Sequence, residues 1–451
     1  MARHVREGRD VKDLFSTVGG LTAGVGSTVG AATDGVSDAL PGPVGDLVDG
    51  LTGIVEGLLG SVAQGILKPE NKRPEPGYEF KEPLPSDSRG PCPGLNLLAN
   101  YGYFPRNGTV TYGQVLEATA RGFNMGPDLA AVLATFAVLT DGDIITETWN
   151  LGEGTGGLGG LNRHSTVEAD VSPNREDFFN GCGDNHHLSS RLFKQNVQVA
   201  SKNPNKDFGL DTMGDHFAIS SAFSKLNNPY LYYFPFPSIV SFAAFAFYPN
   251  FFSNGTYGFG GVANYESISS IIGAKWSDED QEFIYVPERW PENWYRRDFP
   301  YGAVQALTEG LLHIYTKNPI AMPVAQLGTP NLNATTFLCN VYNGLTSVTP
   351  LGLAGTVEEV EAKVTWAIAK LDPYFKDTIL GCPTNSISQN FLFPPQNGGP
   401  LAPPPAVRAN AGDNVYNKIY FKDAPVEPMC NAVTEPKSGS SAPAPEGRKF
   451  N

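Results

Sequence analysis

The chain has 451 residues, with 32 Lys and Arg against 46 Asp and Glu, a formal charge of −14 at pH 7. Hydrophobic residues make up 41% and aromatics 11%, enough for a sizeable core, while charged residues are only 17%. The acidic balance excludes nucleic acid or an anionic membrane as the main partner, since both need a basic footprint, and no run of 18 apolar residues offers a transmembrane helix.

The first residues, MARHVREGRDVKDLF, are basic, but the apolar segment of a signal peptide does not follow at once. Residues 17–67 are Gly-rich. Within them Leu47, Val48, Leu51, Ile54, Val55, Leu58 and Leu59 fall at helical spacing, with Asp46, Asp49 and Glu56 on the other side. That amphipathic helix has an acidic polar face, which suits packing on the body better than lying on a membrane. Residues 1–70 thus read as an N-terminal extension and 71–90 as a Pro-rich linker. The body follows over 91–395. GQVLEATARGFN (113–124) and GPDLAAVLATFAVLT (126–140) predict consecutive helices, the second with an apolar stripe of Leu129, Val132, Leu133, Phe136 and Leu139. Helical patterns recur near 175–199, 210–225, 236–248, 262–273, 299–316 and 356–380. Strand signals are confined to 143–151 and 230–234. The fold class is therefore mostly α, a single helical domain with few short strands. Residues 396–451 form a Pro-rich tail whose last 16 residues have a disordered composition.

Several motifs carry little. Gly152, Gly154 and Gly157 match GxGxxG, but the chain continues as GLGGLNRHSTVEAD, a loop, where a dinucleotide site needs a helix. GxSxG and HExxH are absent. His186, His187 and His216 lack metal-site spacing and read as surface or core histidines. Asn-x-Ser/Thr sequons at Asn107, Asn254 and Asn333 suggest a secreted glycoprotein. Five cysteines, at 92, 182, 339, 382 and 430, leave at least one thiol outside intramolecular pairing.

Cys92 is the most informative of them. In Pro91-Cys92-Pro93 the flanking prolines fix φ on both sides of the thiol. A helix is predicted to follow, and amides at a helix N-terminus lower a thiol's pKa. Those three residues alone fit either a metal or redox thiolate or half of a structural disulfide.

The surrounding sequence resembles the fungal heme-thiolate peroxidases, the family of chloroperoxidase and the unspecific peroxygenases. SRGPCPGLNLLANYGYFPRNG resembles the family's proximal segment. LEATARGFNMGPDLAAVLATFAVLTDG is similar to the helix pair after it, and GLNRHSTVEADVSPNREDFF to the segment carrying an acidic tripeptide. NHHLSSRLF and ENWYRRDFPY resemble further family blocks, so that the resemblance covers roughly residues 75–395. It implies that Cys92 is the axial thiolate on the iron of heme b, donating electron density that favours O–O cleavage. It implies a Mg or Mn ion beside a heme propionate, held by Glu168, the backbone carbonyl of Ala169 and Ser172, ligands suited to a hard cation. It implies a disulfide between Cys339 and Cys382. Whether Cys182 and Cys430 pair is left open.

The family's distal glutamate has no clear counterpart. The aligned stretch SFAAFAF (241–247) holds no acid and no arginine, and a shifted alignment offers Glu266 as the catalytic acid–base. The aromatic run Tyr230, Tyr232, Tyr233, Phe234, Phe236, Phe242, Phe245 and Phe247 fits either a substrate channel or core. The resemblance implies a secreted enzyme that uses hydrogen peroxide to oxidise or oxygenate small aromatic or aliphatic molecules. The alternative is a pathway-dedicated or catalytically weakened member that binds heme and a small apolar ligand. Without the resemblance, an α-helical binding protein with Cys92 in a disulfide remains.

Overall fold

Pro93 opens helix α1 (Pro93–Asn100), a position where its missing amide hydrogen costs nothing, and Leu97, Leu98 and Ala99 of that helix are wholly buried. The computed structural model describes residues 69–163, 166–228, 231, 235–255, 261–319, 339 and 357–376. The amphipathic segment at 47–59 and the tail from 396 lie outside them.

Helix α2 (Tyr112–Phe123) starts at a capping box in which Thr111 and Gln114 satisfy each other's amides, and stops at Asn124, in the left-handed region with φ 57°. Helix α3 (Pro127–Asp141) is apolar nearly all round, because it is packed by α2 on one side and by helix α9 (Val357–Phe375) on another. A second group comprises α4 (Ser190–Lys202), α5 (Leu210–Asn227) and α6 (Pro235–Phe251), with a π-helical turn at Gly310–Ile314 packed against α5 and α6. That turn continues helix α8 (Ala303–Glu309). Helix α7 (Tyr265–Ile272) packs on α1.

The strands are short antiparallel pairs. β1 (Lys72–Arg73) pairs with β6 (Trp294–Tyr295), β2 (Thr109–Thr111) with β3 (Thr148–Asn150), and β4 (Ala274–Ser277) with β5 (Glu282–Tyr285). The mostly α fold is as expected from the sequence. An aromatic layer of Tyr101, Phe123, Phe252, Trp290 and Trp294 backs α1, with successive ring centroids 4.6–6.0 Å apart.

Four elements differ from expectation. The helix predicted from 175 begins only at Ser190. Upstream, carboxylates take the backbone amides a helix would use: Asp170 accepts from Phe178 N–H at 3.1 Å, and Asp184 from the amides of His186 and His187 at 3.1 and 3.0 Å. The strand predicted over 143–151 is formed only at Thr148–Asn150, because Asp143 bonds the amides of Ile145 and Thr146 and folds a turn. The hairpin β4–β5 lies where no strand was expected from the sequence. The Pro-rich stretch 71–90 is strapped to the body: Arg73, 1% exposed, donates to the carbonyls of Glu70, Lys72 and Arg121, and Lys81 N–H donates to Asn100 O.

Candidate active site

Cys92 is the N-cap residue of α1. It is the one free cysteine among the described residues, while Cys182 and Cys339 are each disulfide-bonded. Cys382 and Cys430 lie outside the described residues. The thiol is held by its own helix, whose Gly94 and Leu95 amides point at Sγ. Burial nonetheless pushes its pKa up, outweighing those amides and the nearby Arg175. The helix amides thus lower the thiol's pKa as expected from the sequence, and burial acts against them.

Glycine makes this geometry attainable. A Cβ on Gly90 would lie 2.0 Å from Leu151 O, and one on Gly152 would lie 2.0 Å from Arg89 O. The Gly-rich run at 152–160 therefore lets one backbone pass directly against the segment leading into Cys92. Its function is close approach, as a loop, with Gly156 and Gly157 at φ 65° and 83°. A Cβ on Gly94 would sit 3.4 Å from the Phe123 ring and 3.5 Å from that of Phe252, so those rings fix the first turn of α1.

Two buried charges flank the thiol. Arg175, 2% exposed, donates from Nε to Pro91 O at 3.1 Å. Glu288 is wholly buried and accepts from Asn96 Nδ2 and from Tyr285 Oη, both at 2.9 Å. Burial raises the Glu288 pKa. Asn96 and Asn100 sit one turn apart on α1, and Asn100 Nδ2 donates to Glu288 O at 3.1 Å. Glu288 thereby locks the helix that carries Cys92. The sequence reading missed both charges. Arg175 was within reach, three residues beyond Ser172 in the same acidic segment. Glu288 is brought in only by the fold.

That acidic segment lies beside the thiol through Arg175. Glu168 and Ser172 are both half-buried, and Ala169 is buried between them. Glu168 accepts from Asn185 Nδ2 at 2.5 Å. Val171 has φ 62°, a region that a β-branched residue almost never enters. It is held there by its amide bond to Asp177 and by Ser241 of α6, whose hydroxyl donates to Asp170 O and Val171 O at 2.9 and 2.7 Å. Strain of this kind persists only where the surroundings over-determine it. His216 of α5 adds a further tie, with Nε2 2.7 Å from Pro173 O.

Asp184, His186 and His187 offer ligand atoms within 4.8 Å of one another. Asp184, however, bonds both histidine amides and lies 2.8 Å from His187 Nδ1, so the cluster is a carboxylate-capped turn with both histidines half-buried. Its Asn185 is what reaches Glu168.

Glu266 is exposed in the first turn of α7, where its charge complements the helix N-terminus. No described contact joins it to Cys92. Of the aromatic run, Phe242 and Phe245 are wholly buried; Phe245 packs on Phe217 and His216, and Phe247 on Phe251 and Tyr301. Phe242 and Phe245 are core and Phe247 is half-buried against it, while the side chains at 230, 232–234 and 236 lie outside what is described. Asn107 is exposed, whereas Asn254 is 5% exposed and accepts from Tyr295 N–H, which leaves that sequon no room for a glycan.

Residues 78–299, the stretch holding Cys92, Glu168, Arg175 and Glu288, match the family model described as peroxidase, family 2. This segment is that of the peroxidase family of the fungal heme-thiolate enzymes. It is 44% identical over 131 residues to an aromatic peroxygenase of Coprinellus radians, covering 27% of this chain and 49% of that one. It is 35% identical over 189 residues to an aromatic peroxygenase of Cyclocybe aegerita, covering 40% and 50%. A longer, weaker likeness, 27% over 339 residues, joins it to the dothistromin biosynthesis peroxidase dotB of Dothistroma septosporum, covering 65% and 79%. The chain spans about half the length of the two aromatic peroxygenases. The site fits the heme its family implies. A free, half-buried thiol sits at a helix N-terminus, within reach of two helix amides, and a buried arginine stands next to it.

Proposed function

We propose that the protein is a heme-thiolate peroxidase or peroxygenase that uses hydrogen peroxide on small aromatic or aliphatic molecules. The observation that carries this reading is Cys92: a free thiol, capped by two amides, flanked by Arg175, in a chain whose other described cysteines are in disulfides. Bound through Cys92, heme b would supply peroxide activation and oxidation of the organic substrate. The protein's own part is to hold Sγ by the Gly94 and Leu95 amides, to fix α1 through Asn96, Asn100 and Glu288, and to exclude water with the Phe123–Trp290 layer. Glu168, the Ala169 carbonyl and Ser172 would hold Mg or Mn. The disulfides favour an oxidising compartment and hence secretion.

A second reading, a member dedicated to one pathway with a narrowed substrate, is favoured by the acid-free face of α6 at 241–247 and the exposure of Glu266. The long likeness to a biosynthetic peroxidase supports it as well.

The test is an absorption spectrum of purified protein, reduced and under carbon monoxide, beside Cys92→Ala. A red-shifted thiolate-type Soret band that Cys92→Ala removes is expected. A heme-free protein, or a heme signal indifferent to Cys92, overturns the reading.

A further inference from the structure

Just before helix α4, in the turn at 184–187, one carboxylate governs two imidazoles. Asp184 is wholly buried, and its Oδ1 accepts the His186 and His187 amides at 3.1 and 3.0 Å. The same carboxylate faces both rings. His186 Nδ1 lies 3.3 Å from Oδ1, and His187 Nδ1 lies 2.8 Å from Oδ2. Asn185 Oδ1 is also 3.3 Å from His186 Nδ1. These neighbours are all acceptors, so each neutral ring keeps its proton on Nδ1 and carries its lone pair on Nε2.

That is how a histidine is prepared for a metal ion: a carboxylate behind it fixes the tautomer and the ring plane, and the opposite nitrogen binds. Here one carboxylate does this for two rings at once. The ring centroids are 4.3 Å apart, and the three residues offer ligand atoms within 4.8 Å of one another. On one zinc ion, with Zn–N bonds of about 2.0–2.1 Å, two ligand nitrogens stand about 3–4 Å apart. Rotation of the rings is enough to meet that spacing. Asp184 lies inside, while the His186 and His187 side chains are 20% and 27% exposed, so the edge of the pair that faces solvent is the one carrying Nε2.

We propose that His186 and His187 together chelate a divalent transition metal of the zinc type through Nε2, with Asp184 behind both rings and water completing the coordination. Paired imidazoles suit zinc, copper or nickel, whereas the carboxylate, hydroxyl and carbonyl of Glu168, Ser172 and Ala169 suit a hard ion. The two sites are neighbours, since Asn185 of this turn donates to Glu168. The zinc site is made by the turn alone and stands whether or not heme binds at Cys92.

The experiment uses the whole purified chain, dialysed free of metal and given one equivalent of zinc. Isothermal titration reads the affinity, and X-ray absorption at the zinc edge counts the imidazoles. Two are expected in wild type. His186→Asn and His187→Asn each keep a donor toward Asp184 and remove Nε2. Each should leave one imidazole and weaken zinc by about tenfold or more, and Asp184→Asn should weaken it about 10–100-fold. Excess Mg should leave zinc in place. Zinc held as tightly by the His186→Asn, His187→Asn double variant overturns the proposal. So does a wild-type spectrum with fewer than two imidazoles, a result that needs no variant to fold. Displacement of zinc by Mg also overturns it, by assigning the ion to the oxygen ligands around Glu168.

Discussion

Cys92 stood out from its neighbours, a thiol between two prolines at a helix start, whereas Glu168 and Ser172 were singled out only through the resemblance to the heme-thiolate peroxidases. What the residues do is set by groups far away in the chain. Burial raises the Cys92 pKa against the effect of its own helix, and Arg175 returns some of that from 83 positions on. The Glu168 carboxylate is oriented by Asn185, and the strained Val171 beside it by Ser241. If Glu168 and Ser172 ligate a hard cation, Glu168→Gln removes the only charge in the set and Ser172→Ala a neutral oxygen. Elemental analysis of dialysed protein should then find Mg or Mn depleted strongly by Glu168→Gln and partly by Ser172→Ala. Equal content in all three proteins would place the cation elsewhere.

Among elements, the Gly-rich loop at 152–160 is an example of a motif whose spacing misleads and whose chemistry does not. Its glycines have no phosphate to cradle; Gly152 is needed because Arg89 O lies where its Cβ would be. Gly152→Ala should push the Arg89–Cys92 segment off its track and cost about 2–4 kcal/mol in urea unfolding. Gly157 has a positive φ but open space around it, so Gly157→Ala should cost only about 1 kcal/mol. An equal cost for the two would mean that backbone conformation, and not the crossing, governs the loop. The same distinction decides which elements could be read in advance. α2 and α3 are written in their caps and apolar stripes, Thr111 with Gln114, then Gly126 with Pro127. The stretch 175–189 has helix-like apolar spacing, but Asp170 and Asp184 capture the amides, and nothing in a periodicity count registers that competition. The 71–90 strap was hidden for a related reason. Its prolines look like a linker until Arg73 is seen to satisfy three carbonyls.

Over the whole molecule, burial of ionisable groups makes stability depend on pH in two opposed ways. His216, wholly buried with Nε2 on Pro173 O, is held neutral, its pKa lowered to about 4 chiefly by burial. Its contribution is present above the unfolded value near 6.5 and is lost as pH falls through about 4. Asp141, at the end of α3 and 1% exposed, is the reverse: burial raises it to about 7, against the pull of Arg163, 3.6 Å away, and the hydroxyls of Thr166 and Thr140. The fold holds a proton there that the unfolded chain releases near pH 4, so this contribution is full below that point and is lost as pH rises through about 7. Asp177 is pushed up in the same direction by burial and by Asp170. Asp141→Asn keeps the shape and removes the titration. It should match wild type in urea unfolding at pH 4, gain steadily as pH rises, and exceed it by about 3 kcal/mol at pH 8. A gain that is the same at pH 4 and pH 8 would mean that Asp141 is ionised in the fold throughout, with Arg163 compensating its burial.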